Sequence, residues 1–433
     1  MNAHIKYTKK LTGRLNPPSS KNYTTRYLLV AALAEGESRI HYPAKSADSD
    51  ALIRCLVALG ATIDEEVDHE GGRHLRVVGF GRNPQNPGTL NAGNAGAVTR
   101  FLMGIAALLS EVRFETDFDH SLGQRPHDDL LLALEQLGVR SQSEQGKLPI
   151  VLHGGNLHGG HVQVSGSVSS QFLSALLFVA PLIPDDVEID VINDLVSKPL
   201  VRTTIEVIQL AGIRINASDD LMHFEIPGGQ AYLPGEYSVN GDYPSAAAVL
   251  AAGALTNSEI TVERLFEDRQ GERAIVDVLQ HFGVGVNYDG CSVSIQQHKG
   301  LHGIEFDGDT ATDMVLALLP MAALAAGETR VHSIGNLRMK ECDRISVPVE
   351  ELQRLGVDCD EGPTEIVVRG NPKGYEGGIE VQTHDDHRVA QMLTLLGLRC
   401  RKGLIISDAD TVAKSYPAFF DDLISLGARI ECK

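Results

Sequence analysis

The chain has 433 residues, of which 43% are hydrophobic and 22% are charged, so we expect a soluble protein of at least two domains. Its net charge of -19 disfavours nucleic acid as a partner, and any anionic ligand must therefore meet a local cluster of cations. The six cysteines are scattered, and we recognise neither a membrane span nor a signal segment, which together predict a cytoplasmic location without a membrane or metal partner.

The chain begins with a strand-like stretch, Met1 to Leu15, followed by two prolines. A helix that is apolar on nearly every face then recurs six times, at intervals of 69 to 74 residues. These helices begin near Thr24, Ala97, Ser170, Tyr243, Thr312 and Asp386. A helix without a polar face must be buried, so the pattern predicts six core helices.

A second, amphipathic helix follows each core helix and ends in an apolar residue, a glycine and a strand-like segment. The six glycines, 71 to 78 residues apart, are Gly60, Gly138, Gly212, Gly283, Gly356 and Gly427. Glycine here is typical of the position just after a helix, where the backbone turns left-handed. Short β-rich segments such as Glu188 to Val191 separate the helices, so each repeat should contain two helices and several strands.

Six repeats divide naturally into two similar α/β domains of three repeats each. We expect the first domain to span 20–237 and the second to combine 1–19 with 238–433, with the N-terminal strand crossing over. The turn-forming residues Leu233 to Glu236 indicate a hinge near 233–240, and a second hinge is expected near 16–20.

Polar residues stand at the start of every core helix, where packing does not require them. They are Ser20-Lys21-Asn22, Asn94-Ala95-Gly96, Ser169-Ser170-Gln171, Asp242, Asp313 and Asp386-His387-Arg388. A helix N-terminus attracts anions, although Ser and Asp there are also ordinary N-caps. Lys21, Arg26 and Arg388 are poorly explained as caps, because a cation opposes the helix dipole unless an anion is bound.

The segment Asn336 to Arg344 concentrates charge directly after buried structure. Lys340 and Glu341 place a proton donor beside a proton acceptor, as acid–base chemistry requires. Arg338 and Arg344 could each hold an anion through two hydrogen bonds. Taken alone, the segment is better interpreted as a surface loop that opens a helix.

Seven motifs, in this order, together resemble the enolpyruvyl transferases, and most closely their 5-enolpyruvylshikimate-3-phosphate synthase branch. They are Ser20-Lys21 with Arg26; Asn94-Ala95-Gly96 with Arg100; Arg125-Pro126; Gly166 to Leu173; Lys340-Glu341 with Asp343-Arg344; Asp386-His387-Arg388; and Lys414. The resemblance covers about residues 17 to 425. It implies two domains, each of three βαβαββ units with buried helices (an inside-out α/β barrel), and an active site in the interdomain cleft.

The resemblance implies that the enolpyruvyl group of phosphoenolpyruvate is transferred to the 5-hydroxyl of shikimate 3-phosphate, with release of phosphate. The reaction runs through a tetrahedral intermediate and requires neither a metal nor an organic cofactor. We expect a monomer whose partners are these two small molecules.

Three sets of site residues follow from the resemblance. The catalytic set is Lys21, Asp313, Lys340 and Glu341. The shikimate 3-phosphate set is Lys21, Asn22, Arg26, Ser169, Ser170, Gln171, Ser197, Asp313, Asn336 and Lys340. The phosphoenolpyruvate set is Lys21, Gly96, Arg125, Gln171, Arg344, His387, Arg388 and Lys414. Asp313 would take the hydroxyl proton, and Glu341 and Lys21 would move the proton at C3; Arg100 could instead be a structural ion-pair partner.

The sequence also departs from the family pattern. Asn22 stands where serine is usual, Ala97 where threonine is usual, and Leu200 where a tyrosine is common. Phe101 replaces a proline, and with Ala97 it leads us to expect reduced sensitivity to glyphosate, the family's inhibitor, although Gly96 argues the other way.

Three alternatives remain open. Lys21-Asn22 also resembles the sister enzyme that acts on UDP-N-acetylglucosamine, but the loop Thr116 to Pro126 lacks that enzyme's cysteine. A non-catalytic anion-binding relative should have lost Lys21, Asp313 or Glu341, which are all present. A purely structural repeat protein would leave the cations of the core helices unexplained.

Overall fold

A computed structural model describes residues 1–69 and 72–433. The chain forms two compact units: the N-terminal unit, Ser19–Val239, and the C-terminal unit, Met1–Pro18 with Asn240–Lys433. The domain limits and hinges inferred from the sequence stay predictions.

Helices are separated by one to three strands along much of both units. The strands are β1 (Ala3–Lys6), β2 (Thr12–Leu15), β3 (Glu37–His41), β4 (Thr62–Val67), β5 (Arg73–Val78), β6 (Thr89–Asn91), β7 (Val112–Glu115), β8 (Arg140–Glu144), β9 (Lys147–His153), β10 (Gly160–Ser165), β11 (Val187–Ile192), β12 (Asn216–Ala217), β13 (His223–Ile226), β14 (Glu236–Ser238), β15 (Glu259–Glu263), β16 (Gly285–Tyr288), β17 (Ser292–Gln296), β18 (Glu305–Asp307), β19 (Gly327–His332), β20 (Asp358–Glu361), β21 (Ile366–Gly370), β22 (Glu380–Gln382), β23 (Leu404–Ser407) and β24 (Arg429–Cys432). The α-helices are α1 (Lys21–Leu33), α2 (Ala47–Ala58), α3 (Gly96–Ala106), α4 (Asp128–Glu135), α5 (Ser170–Val179), α6 (Lys198–Leu210), α7 (Tyr243–Leu255), α8 (Ile275–His281), α9 (Val315–Leu324), α10 (Ser346–Arg354), α11 (His387–Gly397) and α12 (Phe419–Ser425).

Among the described residues, each unit holds three four-stranded sheets of one pattern, in which the first two strands are parallel and the next two pairings are antiparallel. The orders are β14-β3-β5-β4, β6-β7-β9-β8 and β10-β11-β13-β12 in the N-terminal unit, and β2-β15-β17-β16, β18-β19-β21-β20 and β22-β23-β1-β24 in the C-terminal unit. This arrangement confirms the predicted α/β class built from βαβαββ repeats.

Strands distant in sequence complete three of these sheets. β1 pairs with β23 and β24, and β2 pairs in parallel with β15, so the N-terminus completes two sheets of the C-terminal unit. β14 pairs in parallel with β3 and supplies the first strand of the first repeat.

The odd-numbered helices form the cores, as the apolar runs predicted. All residues of α7 are buried, and α9 is buried along nearly its whole length. Two starts differ from prediction. α1 begins at Lys21 rather than near Thr24, because its first turn is polar but is capped by Ser20. α9 begins at Val315 rather than near Thr312, since a short 3-10 helix, Gly308–Ala311, comes first.

The six glycines that follow the amphipathic helices all have positive φ, between 83° and 104°. This confirms the C′ prediction, because a side chain would be strained in that conformation.

A second left-handed position was not predicted. In five of the six repeats, the residue directly after the strand that follows the core helix has a φ between 53° and 62°. These residues are Tyr42, Asn193, Arg264, Ser333 and Asp408. The second repeat is the exception, since β7 runs instead into the loop that carries Arg125.

Within the described residues, no helix is both long enough and apolar enough to cross a membrane.

Candidate active site

In the N-terminal unit, the first candidate group lies at the start of α1. The side chain of Ser20 caps the helix by accepting the N–H of Tyr23. The Nζ of Lys21 lies 3.1 Å from Oδ2 of Asp48, a carboxylate on α2 that is 12% exposed. This ion pair keeps an ammonium group at a helix start, where the dipole disfavours it. Asp48 was not singled out from the sequence, because an acidic residue near the start of a helix is ordinary.

Arg26 is buried one turn later, and three of its donor atoms are engaged. Its Nε donates to Thr204 Oγ1 (2.9 Å), Nη1 to the carbonyl of Asn22 (3.0 Å) and Nη2 to the carbonyl of Leu200 (3.1 Å). Burial lowers the pKa of Arg26 to about 10, so it remains charged at neutral pH. The guanidinium carbon lies 5.3 Å from the centroid of the Phe101 ring.

Arg100 connects α3 with the start of α5. Its Nη1 donates to Gln171 Oε1 at 2.7 Å and to Ser169 Oγ at 3.4 Å. The same guanidinium lies 5.0 Å from the centroid of the Phe172 ring. Arg100 therefore orients the Ser169-Ser170-Gln171 motif.

Arg125 and Gly96 are in close contact. A β-carbon added to Gly96 would lie 2.6 Å from Nη1 of Arg125, so the guanidinium occupies the space that glycine leaves at the start of α3. His127 is buried near the charges of Arg100 and Arg125. Burial, and to a lesser extent the charge of Arg100, lower the pKa of His127 to about 3. A neutral ring therefore lies beside the two guanidinium groups at neutral pH.

Ser197 stands at the N-cap of α6 with a φ of 53°. A left-handed serine costs about 1–2 kcal/mol, so the surrounding structure must hold it in place. Strain of this kind concentrates at functional sites. It is compatible with the prediction that Ser197 contacts a ligand.

In the C-terminal unit, Arg344 is the centre of the candidate site. Its guanidinium is 2% exposed and contacts three carboxylates: Asp386 (Nε–Oδ2, 2.7 Å), Glu341 (Nη2–Oε2, 3.0 Å) and Asp313 (Nη1–Oδ1, 3.2 Å). Burial alone would lower the pKa of Arg344, but these carboxylates raise it overall. Because it is buried away from solvent, the Arg344 guanidinium is a fixed positive charge between three acids.

Glu341 extends this network to Lys414. The other carboxylate oxygen, Oε1, accepts a hydrogen bond from Lys414 Nζ at 2.5 Å. Both side chains are largely buried, at 9% and 12% exposure. The alternating order of acid and base along Asp313, Arg344, Glu341 and Lys414 suits proton transfer combined with anion binding.

Asp313 is not an N-cap, contrary to the simpler interpretation of the sequence. The N-cap of α9 is Met314, and the Asp313 carboxylate turns to Arg344 instead. The backbone N–H of Asp313 donates to Oε1 of Glu272 at 3.1 Å. Burial, together with the charge of Asp313, raises the pKa of Glu272 well above its ordinary value. No sequence signal marked Glu272.

Arg338 binds carboxylates of the protein itself, and its role towards an external anion stays a prediction. Its donors are taken by Asp343 (2.8 Å), Glu361 (2.9 Å) and the carbonyls of Gly362 and Pro363. These contacts hold the loop that carries Arg338 against the segment Glu361 to Pro363. Asn336 lies in the 3-10 helix Gly335–Met339, and Lys340 ends this helix.

The Asp386-His387-Arg388 motif starts α11. Asp386 caps the helix by accepting the N–H of Arg388 at 2.7 Å and also binds Arg344, so one carboxylate performs two tasks. His384 and Asp385, the two residues before it, have φ values of 51° and 57°. His387 is buried, with Nδ1 3.9 Å from Oδ1 of Asp386. Arg388 is buried too, and within the described part of the chain its Nε has no hydrogen-bond partner.

Comparison with known proteins identifies the family of this chain. Residues 5–423 match the family described as EPSP synthase (3-phosphoshikimate 1-carboxyvinyltransferase). A 3-phosphoshikimate 1-carboxyvinyltransferase of Deinococcus radiodurans is 46% identical over 424 residues, covering 98% of this chain and 95% of the relative. One from Methanocaldococcus jannaschii is 34% identical over 432 residues, covering 99% of each chain.

Solved structures show the same fold. The EPSP synthase of Acinetobacter baumannii superposes with a TM-score of 0.81 at 22% identity, covering 99% of both chains. With a family match over nearly the whole chain and relatives that are 46% and 34% identical, the chain belongs to the EPSP synthase (3-phosphoshikimate 1-carboxyvinyltransferase) family.

Proposed function

We propose that this chain catalyses the reaction of its family, transferring the enolpyruvyl group of phosphoenolpyruvate to the 5-hydroxyl of shikimate 3-phosphate and releasing phosphate. The observation that best supports this proposal is the contact network of Asp313, Arg344, Glu341 and Lys414. It combines two carboxylates, as addition and elimination require, with two cations suited to an anionic substrate.

In the addition step, the 5-oxygen forms a bond to C2 of phosphoenolpyruvate while C3 gains a proton. Asp313 would take the hydroxyl proton, and Glu341 and Lys21 would move the proton at C3, with Lys340 as the fourth member of the proposed catalytic set. In the elimination step, the C2–O bond to phosphate breaks, C3 loses a proton and the double bond returns. Phosphate is already a good leaving group, so we propose no metal and no organic cofactor.

Shikimate 3-phosphate would be bound through hydroxyl, amide and cationic groups. Ser169 and Ser170 stand at the N-terminus of α5, a position suited to phosphate. Arg26 has three donor atoms engaged by the protein, so its contact with the shikimate carboxylate would use its remaining N–H groups. The further proposed contacts are Lys21, Asn22, Gln171, Ser197, Asp313, Asn336 and Lys340.

Phosphoenolpyruvate would be bound mainly by cations. The buried guanidinium of Arg388 is a strong candidate, because its Nε has no hydrogen-bond partner in the described chain and would gain one from a phosphate or carboxylate oxygen. Arg344 would contribute charge while it remains bound to its three acids. The further proposed contacts are Lys21, Gly96, Arg125, Gln171, His387 and Lys414.

The test is an assay of phosphate release. Purified protein should release phosphate from phosphoenolpyruvate only when shikimate 3-phosphate is present, and should do so in the presence of a chelator. Release with UDP-N-acetylglucosamine and none with shikimate 3-phosphate would assign the protein to the sister activity. We further propose that the protein acts as a monomer in the cytoplasm, which light scattering and cell fractionation would test.

A further inference from the structure

A cavity of about 780 Å³ lies at the C-terminal ends of the core helices of the C-terminal unit. Leu255 and Leu324 end α7 and α9, Arg399 lies two residues after α11, and all three line the cavity. The polar groups of the candidate active site lie at or beside the opposite ends of these helices, which are 10 to 13 residues long. At 1.5 Å per residue, roughly 15–20 Å of helix separates the cavity from those groups.

The charged side chains that line the cavity are cations. Neither aspartate nor glutamate belongs to its described lining, which includes Lys299, Lys373, Arg399 and Arg401 with His298 and His302. Lys299 and Lys373 are exposed, and among the described residues neither side chain forms an ion pair. Arg401 has a long contact with an acid, from Nη1 to Oε2 of Glu376 at 3.6 Å. In a chain with a net charge of -19, such a cluster creates a local positive potential.

The helix ends do not by themselves explain these cations. A helix C-terminus attracts positive charge, so the dipole predicts cations after the core helices of both units. The turns that follow the core helices of the N-terminal unit instead carry acids, namely Glu35, Glu111, Asp185 and Asp186. In the C-terminal unit, the turn after α11 carries Arg399, Arg401 and Lys402. The positive charge is therefore a property of one unit rather than of the shared fold.

The loops that lead into the next repeat differ in the same way. In the C-terminal unit, the loops after β17 and β21 carry Lys299 and Lys373. The corresponding loops of the N-terminal unit, 79–88, 154–159 and 227–235, contain no lysine and one arginine, Arg82. Arg82 donates to two backbone carbonyls of the loop 227–235, so its charge serves a contact within the protein.

Both lysine-bearing loops of the C-terminal unit are tied to helix ends. The side chain of Asn257, just after α7, accepts the N–H of His298 at 2.7 Å and donates to its carbonyl at 3.1 Å. The N–H of Asn371 donates to the carbonyl of Ala323 in α9 at 2.8 Å, and its side chain accepts the N–H of Lys373 at 3.1 Å. The lysines therefore project from fixed loops, which lowers the entropy cost of binding.

Arg399 is also held in place. Its Nη1 donates to the carbonyl of Thr8 at 3.0 Å, and its guanidinium carbon lies 4.9 Å from the centroid of the Tyr7 ring. Leu255 and Leu301 are buried and give the cavity an apolar wall. Cations from three separate segments around a concave wall suit a small, multiply charged anion better than a flat membrane surface.

We propose that this cavity is a second anion site, which binds a small molecule carrying two or more phosphate groups. Phosphate oxygens accept hydrogen bonds from lysine and arginine, and each further phosphate can engage another of the cations. The cavity volume lies within the range of small-molecule pockets, about 300–1,000 Å³. Inorganic polyphosphate and nucleoside polyphosphates share this chemistry. The proposal is independent of the proposed function, since no lining residue belongs to the catalytic or substrate-binding sets.

The test is isothermal titration calorimetry in the presence of a chelator, with inorganic tripolyphosphate and ATP as separate probes. Wild type should bind tripolyphosphate, and Lys299→Gln/Lys373→Gln/Arg401→Gln should raise the Kd at least tenfold, because it removes three charged contacts. The control Arg54→Gln/Arg140→Gln/Arg214→Gln removes the same charge from exposed positions of the N-terminal unit and should change the Kd less than twofold. Tighter binding of ATP would identify a nucleoside polyphosphate as the ligand, and equal or weaker binding an inorganic one.

Several results would overturn the proposal. They are a wild type that binds neither probe, a Kd that is unchanged in the cavity variant, and an equal rise in the Kd of the control. Displacement of the probe by phosphoenolpyruvate would also contradict it, because the probe would then occupy the proposed active site. If the cavity variant melts far below wild type, Lys299→Gln alone replaces it and should raise the Kd at least threefold, whereas an unchanged Kd would refute the idea. Failure of the phosphate-release assay would reject the proposed function but leave this binding measurement intact.

Discussion

The two units repeat one architecture but differ in the charge at the starts of their core helices. In the N-terminal unit these starts carry Lys21 and the Ser169-Ser170-Gln171 motif, with Arg125 against Gly96. In the C-terminal unit, acids stand at or beside the helix starts, namely Asp242, Asp313 and Asp386.

The difference shows how one scaffold supports two kinds of chemistry. In the N-terminal unit, hydroxyl groups and cations occupy the starts of the core helices, an arrangement that suits the binding of anions. In the C-terminal unit, Asp313, Glu341 and Asp386 surround Arg344, an arrangement that suits proton transfer. We therefore expect mutations at the anion-binding helix starts of the N-terminal unit to act mainly on substrate binding, and mutations of the acids around Arg344 mainly on turnover.

The largest effect is expected at the acids of the C-terminal unit. Asp313→Asn and Glu341→Gln should each lower kcat by roughly a hundredfold or more, because each removes a proposed proton-transfer group. Steady-state kinetics would measure this, with thermal melting to verify folding. The control is Asp277→Asn on α8, an exposed acid. A variant that keeps half of its activity would remove that acid from the mechanism.

In the N-terminal unit, Arg125→Ala should raise the KM for phosphoenolpyruvate. Loss of a hydrogen bond to a charged group is worth about 1.5–3 kcal/mol, or roughly ten- to a hundredfold. The exposed Arg113→Ala serves as the matched control for loss of a cation. If kcat falls at an unchanged KM, the proposed division of labour between the units fails.

The pH dependence of folding stability would test the environment that His127 shares with Arg100 and Arg125. Its pKa is about 3 when folded, against 6.5 for a free histidine, so the unfolded state binds more protons between these values. Stability contributed by the neutral ring is present above pH 6.5 and is lost as pH falls towards 3. The slope from this group is at most about 1.4 kcal/mol per pH unit. Denaturant unfolding of His127→Phe should show a shallower loss between pH 6.5 and 4, whereas the surface variant His120→Phe should match wild type.

The smallest effect is expected for glyphosate. Ala97 lies in the first turn of α3, next to the contact of Gly96 with Arg125. Ala97→Thr should tighten glyphosate inhibition by about a few-fold while the KM for phosphoenolpyruvate changes less, because small shifts in position separate ligands of different length. Equal changes in both constants would show that Ala97 does not discriminate.

Phe101→Pro is unsuitable as a companion variant. Phe101 is fully buried, packs edge-on against Phe178 and lies under Arg26. Proline would remove this packing, so any change in inhibition would combine two causes.

Much of the architecture could be predicted because its signals are local. A core helix without a polar face and a glycine after an amphipathic helix each reflect a few neighbouring residues. Repetition strengthened these signals, since the six copies recur at similar intervals, 69 to 74 residues for the core helices and 71 to 78 for the glycines. The apolar run by itself placed the start of α1 near Thr24, whereas the cap of Ser20 starts that helix at Lys21.

The pairing of charges could not be predicted in the same way. Arg338 and Arg344 belong to one segment and look alike in sequence, yet the first fastens a loop and the second binds three acids. Asp313 resembled a cap, but Arg344 and Glu272 hold it elsewhere.

The sequence by itself therefore determined the repeat, the core helices and the identity of the polar groups at their starts. Only the tertiary structure decided which acid meets which cation, because partners such as Lys21 and Asp48, or Glu341 and Lys414, are brought together by side-chain direction across separate elements. It also decided which sheets the crossing N-terminal strands β1 and β2 join, and that β14 pairs with β3, since backbone pairing depends on where the chain returns and leaves no local signal in composition.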